Sequence, residues 1–195
     1  MNTESNIDIL LNDIFSFLNE VASRLGEPVE PTIEKINQIK KDIIESNTSN
    51  DPQIAVKFYM IIRVGGEIIF NHNTEKYLDL PIGYKLNDFF ECIGDGSANK
   101  AFFTDYLLWA RAAYIYAGKV LPKYGSGKLA YKIRLPMKLR DGHVYWVQQD
   151  SRPFEFDSKG QMVSHLNSYT VICRYNETSP HGLLAEVYFN ELCSD

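Results

Sequence analysis

The feature that most constrains this chain is the run from residue 129 to residue 175, where three long stretches alternate apolar and polar residues with tight-turn signals between them. In LAYKIRLPMKL, Leu129, Tyr131, Ile133, Leu135, Met137 and Leu139 fall on one side of an extended chain, with Lys132, Arg134 and Lys138 on the other. A period of two cannot line one face of a helix, so the stretch is a strand with one buried face. Asp141-Gly142 suits a two-residue hairpin turn, because such turns need positive φ. HVYWVQQDSRPFEF is then the return strand, DSKG at 157–160 a second turn and QMVSHLNSYTVICRY a third strand. The product is an antiparallel meander.

Upstream the period changes. Ile7, Leu10, Leu11, Ile14, Phe17, Leu18, Val21 and Leu25 recur at helical spacing and make one apolar stripe. Pro28 and Pro31 end that helix. A second helix carries Ile33, Ile36, Ile39 and Ile43 on one face and stops in the polar stretch ESNTSNDP. IAVKFYMIIRV, a Gly65-Gly66 turn and EIIF predict a strand pair. Short helical fragments follow, broken by Pro81, Gly83, Gly94 and Gly96. A long helix comes next, with Ser97 as N-cap, Gly118 as C-cap and an apolar face of Phe103, Tyr106, Leu107, Ala110, Ala113, Tyr114 and Ala117.

Composition limits the function classes. With 195 residues, 45% hydrophobic and 13% aromatic, the chain has material for a real core. A net charge of −5 and the lack of a Lys/Arg run argue against direct nucleic-acid contact. Glu4 and Asp8 stand where a secretory signal would carry positive charge, and no stretch approaches the roughly 18 apolar residues of a membrane span. Three widely spaced cysteines suit reduced thiols. The expectation is a soluble cytoplasmic protein.

Two strands, broken short helices, one long helix and three long antiparallel strands are together similar to the layout of a PAS domain. Gly83-Tyr84, Tyr131 with Arg134, Asp141-Gly142 before Trp146-Val147, and Asp157 with Gly160 all resemble residues that recur in that family at corresponding places. The resemblance covers residues 54–175. It implies an α+β fold: a PAS-like five-stranded antiparallel sheet with short helices and one long helix on one face. Residues 1–50 would be an N-terminal helical extension, and 176–195 a C-terminal tail or short helix. In place of the Asp-Ile-Thr that commonly ends the last strand stands YTVICRY, so a standard hand-off to a kinase or cyclase is not implied.

The resemblance implies a sensory module like those at the N-terminus of bacterial transcriptional regulators and kinases. Such a module senses a small ligand or contacts a signalling protein, with output by repacking of flanking helices in a homodimer. Ligands in this fold lie between the long helix and the sheet. Phe103, Leu107, Ala110 and Tyr114 on the helix, with Tyr131, Ile133 and His165 on the sheet, are the candidate walls; the same aromatics filling the space as core is the other reading. Ile7, Leu10, Ile14, Phe17 and Val21 suit a helix–helix seam, either between two subunits or docked on the chain's own fold.

Cofactors and catalysis are not expected. Cys92 lacks the Asn-Cys-Arg-Phe surroundings of a flavin-reactive cysteine, and residues 98–118 hold no histidine to bind haem, so neither cofactor is predicted. The four histidines, at 72, 143, 165 and 181, show no metal-ligand spacing. No nucleophile or phosphate-loop motif is present. Glu155 and Asp157 read as a solvated strand end. The alternative to a sensor is a small α+β enzyme or carrier of the cone-shaped type, which would need an acid–base pair in its cavity.

Overall fold

A computed structural model describes residues 3–29, 32–46, 56–96, 100–124, 129–176 and 184–189. Its elements are α1 (Thr3–Ala22), α2 (Thr32–Ser46), β1 (Val56–Arg63), β2 (Ile68–His72), α3 (Thr74–Tyr77), α4 (Leu86–Gly96), α5 (Lys100–Tyr124), β3 (Leu129–Lys138), β4 (Val144–Phe156), β5 (Met162–Arg174) and β6 (Leu184–Phe189). The architecture is α+β and PAS-like.

The alternating run of residues 129–175 forms the middle of one antiparallel sheet, ordered β2-β1-β5-β4-β3-β6. Leu135 stands opposite Val147 across β3 and β4, and Gln149 opposite Tyr169 across β4 and β5. Both hairpins close where turn chemistry allows: Gly142 and Gly160 have φ of 82° and 74°, a region open to glycine without steric cost. The sixth strand is a difference from expectation. Where the sequence suggests a tail or short helix, LAEVYF pairs with β3 from Leu129↔Phe189 to Arg134↔Leu184. An uncovered β3 edge would leave a row of unpaired backbone groups, and the Val, Tyr and Phe of this segment favour a strand.

The first strand decides where the N-terminal helices go. Phe58, Met60 and Ile62 of β1 enter the main core, while Tyr59 and Ile61 enter a second cluster on the opposite face. The stripe of α1 buries Ile14 and Leu18 in the main core, with Ile7, Leu10, Phe17 and Val21 packed against it. On the other face, α2 sets Ile39 and Ile36 against Tyr59, Ile61 and Leu166, leaving Ile33 exposed; the side chain of Ile43 lies outside the described residues. An Arg111–Asp13 ion pair at 2.6 Å joins α5 to α1. Both side chains are half exposed, so the pair contributes at most about 1 kcal/mol and the apolar stripe holds the helix.

To pass from one face to the other, the α1–α2 connector crosses the end of the β4–β5 hairpin. Gly26 N–H donates to Asp157 Oδ2 at 3.0 Å, Val29 N–H donates to the Phe156 carbonyl at 3.0 Å, and Pro28 forms a β-bridge with Asp157. Asp157 and Glu155 are therefore buried rather than solvated. Asp157 takes the connector and its own turn, through Lys159 and Gln161 N–H, and Glu155 accepts Ser164 Oγ at 2.6 Å.

The long helix also exceeds its expected length. It continues through Gly118 to Tyr124, with Lys119 and Leu121 as helix formers after a glycine that costs only about 1 kcal/mol and with Pro122 falling in the last turn; Ser97 lies outside the described residues. Before it, Gly94 of α4 is required by a close approach: a Cβ there would stand 2.8 Å from Cε1 of Phe103, itself buried in the core. Gly94→Ala is expected to lower stability by about 1–3 kcal/mol through overpacking, despite alanine's better helix propensity. An unchanged or raised midpoint in chemical denaturation would refute this packing argument.

Candidate ligand cavity

A cavity of about 40 Å³ lies between α5 and the inner face of the sheet. That is on the order of three water-sized spheres. Its walls come from two periodicities meeting: helical spacing places Tyr106, Trp109, Ala110, Ala113 and Tyr114 along one side of α5, and alternation brings Gln149 and Ser151 of β4 and His165, Asn167 and Tyr169 of β5 to face them.

The polar groups are mostly paired. Tyr106 hydroxyl donates to Gln149 Oε1 at 3.2 Å, and Gln149 Nε2 donates to Asn167 Oδ1 at 3.1 Å, a relay from helix to sheet. Tyr131 hydroxyl donates to the Ala113 carbonyl at 3.0 Å. Tyr114 hydroxyl lies 3.1 Å from His165 Nε2. Of the buried side-chain atoms without a hydrogen-bond partner among the described residues, two belong to residues of the cavity wall: the Tyr169 hydroxyl and His165 Nδ1. An unpaired buried polar group costs about 1–3 kcal/mol, so their place on the cavity wall needs a reason.

Burial also fixes the charge state. Removal from water pushes the hydroxyls of Tyr106, Tyr114, Tyr131 and Tyr169 up from the ordinary phenol range. It pushes His165 down to about 4. All five groups are neutral at neutral pH. Arg152 also borders the cavity, but its side chain is exposed.

Of the walls expected from sequence, Ala110, Tyr114, Tyr131 and His165 line the cavity. Phe103, Leu107 and Ile133 do not; they are packed in the main core. On α5 the wall runs from Tyr106 to Tyr114, so the expected stripe meets it at Ala110 and Tyr114 and overreaches it at Phe103. Sequence reasoning missed Tyr106 as a wall residue, and with it Gln149, Asn167 and Tyr169. A signal existed for the amides: Gln149 follows Val147 in the inward phase of β4, where a polar residue breaks an apolar alternation.

The Asp-Gly turn of β3–β4 plays no part in this cavity. Asp141 accepts His143 N–H at 3.0 Å and Tyr145 hydroxyl at 2.7 Å, and these bonds hold its carboxyl below the usual range. His143 is exposed beside Arg174. Trp146 is buried edge-on to Phe102 and tilted against Tyr175. Cys92 and Cys173 are half-buried and form no disulfide among the described residues. Among the described residues no group of His, Cys, Asp and Glu could hold a metal ion, and no helix is long and apolar enough to cross a membrane.

No family model matches the chain, and no curated protein matches it. Among solved structures, Vibrio cholerae VqmA in a dimer described in the absence of target DNA matches at a TM-score of 0.34 and 10% identity, over 72% of this chain and 53% of that one. VqmA bound to DPO matches at 0.34 and 10%, over 72% and 58%. A VqmA–ligand–DNA complex matches at 0.34 and 13%, over 74% and 52%. The chain thus spans somewhat more than half the length of the VqmA chains it matches.

Proposed function

We propose that the chain is a non-enzymatic sensory module that takes a small molecule between α5 and the sheet and reports its presence through the packing of its N-terminal helices. The observation that carries this reading is the pair of buried, unpaired polar atoms on one cavity wall, Tyr169 hydroxyl and His165 Nδ1. A ligand satisfies what the fold leaves open.

The competing enzyme reading needs an acid–base pair in the cavity. His165 and Tyr114 are in contact, but burial drives their pKa values apart, the imidazole to about 4 and the phenol upward. A general acid or base works best with a pKa near the operating pH, and this pair is far from it on both sides. Geometry also supports a route outward. Met162 lines the cavity and pairs with Phe156, whose carbonyl holds Val29 of the connector. A wall that moves at Met162 bears directly on the link between α1 and α2. Output through a homodimer is part of the proposal: Ile9 on α1 and Leu108 on α5 are exposed apolar residues that a second copy would cover.

Native mass spectrometry of the whole chain purified from a cell extract tests the reading. The expected result is a dimer carrying a stoichiometric small mass that is released on denaturation. A bare monomer at micromolar concentration, unaltered by added cell metabolites, would sink it.

A further inference from the structure

The walls of the proposed ligand cavity carry a charge preference, whose meaning rests on that reading of the site. We infer that the cavity selects an uncharged ligand that hydrogen-bonds to the Tyr169 hydroxyl, and that it rejects anions and cations of the same shape.

Among the described residues, the enclosed part of the wall carries no ionised group. Two of the hydroxyls that would stabilise an anion already donate elsewhere: Tyr106 to Gln149 and Tyr131 to a backbone carbonyl. The Tyr169 hydroxyl remains, with one further donor from the Tyr114–His165 pair (Nδ1–H or the Tyr114 hydroxyl, according to tautomer), and such neutral donors do not replace the hydration of a buried anion. The guanidinium of Arg152, the cation at this site, is exposed to water, where its attraction is screened.

A ligand cation fares no better. Aromatic rings surround the cavity, among them Tyr106 and Trp109 with ring centroids 6.3 Å apart. The faces of such rings attract cations. Yet no carboxylate borders the space among the described residues, and the same surroundings disfavour the charged form of the resident imidazole of His165. Surroundings that disfavour a fixed cation also disfavour a bound one. Both signs of charge are therefore penalised, while Tyr169 hydroxyl and His165 Nδ1 each still lack a polar partner.

Size narrows the class further. About 40 Å³ admits a molecule of a few heavy atoms with every wall in place. Acetamide, acetate and acetamidinium have nearly one shape and three charges. Each is titrated into the whole chain at neutral pH and followed by the shifts of the Tyr169 and His165 resonances, beside Tyr169→Phe.

Acetamide is expected to bind at least about tenfold tighter than either ion. Tyr169→Phe is expected to weaken it about fivefold, the loss of one hydrogen bond of about 1 kcal/mol. The phenylalanine variant should melt no lower than the parent, because it removes an unpaired hydroxyl, and this separates a binding loss from a folding loss. Tighter binding of acetate or acetamidinium overturns the charge preference and leaves the ligand cavity standing. Equal binding of acetamide by parent and variant overturns the role of Tyr169. Resonances unmoved by all three compounds overturn the preference and count against the cavity reading as well.

Discussion

Phe58→Ala is expected to lower the unfolding free energy by about 3–5 kcal/mol, the range for truncating a fully buried aromatic ring. Phe58 is wholly buried on β1 and stacks on Tyr169 with ring centroids 4.4 Å apart and planes inclined by 8°. Tyr77 of α3 lies against it at 5.7 Å. The ring thus joins the strand, a short helix and the cavity wall, and its loss opens a void that three separate elements cannot close by one shift. In urea the midpoint should fall with an unchanged slope. Ile82→Ala, at a fully exposed site, is the control and should stay within about 0.5 kcal/mol. A loss below about 1 kcal/mol at Phe58 would mean that the stack on Tyr169 is not part of the cooperative core.

Removing the carboxylate that holds the α1–α2 connector should have the next largest effect. Asp157→Ala is expected to cost about 2–4 kcal/mol, since charge-assisted bonds to backbone N–H are the stronger kind and burial leaves little water to replace them. Asp157 accepts Gly26, Lys159 and Gln161 N–H at 3.0, 2.9 and 2.9 Å. Burial alone would raise its pKa; these donors outweigh that and hold it below the ordinary carboxylate value. The pH dependence follows from the sign. A depressed folded-state pKa means that the unfolded chain takes up the proton first, so this contribution is full above the unfolded pKa of about 3.9 and is lost as pH falls through the folded value. Parent and Asp157→Ala should therefore converge in stability under acid and differ most at neutral pH. A difference that is constant from acid to neutral pH would show that the aspartate acts by packing and not by charge. Hydrogen exchange gives a local check, with protection lost at the Gly26 and Gln161 amides.

The two sites differ in how far sequence could reveal them. Phe58 sits in IAVKFYMIIRV, where every residue is apolar or long, so no alternation tells which face each takes. The structure shows why: β1 is covered on both sides, by the main core and by α2. Asp157 is legible as a turn residue before Gly160, and its backbone does close that turn, with Gly160 N–H donating to its carbonyl at 2.9 Å. Its bond to Gly26 joins positions distant in the chain, which no local pattern encodes. The candidate cavity lies between these cases. Tyr114, Tyr131 and His165 are reachable from helical and strand phase, but the inward amides Gln149 and Asn167 gain meaning only when Tyr106 is seen to bond the first of them.

By itself the sequence determined the elements whose signal is local. These are the alternating strands β3 to β5, both of their Asp-initiated turns, the stripe of α1 and the long helix, because period and turn chemistry act within a few residues. Tertiary structure decided what depends on partners far along the chain. It placed α1 and α2 on opposite faces of the sheet and recruited residues 184–189 to an edge that would otherwise stand open. It also put Tyr106 rather than Phe103 and Leu107 on the cavity wall, beside the contact of Tyr114 with His165. A side chain's period names the face it occupies, and only packing decides what that face meets.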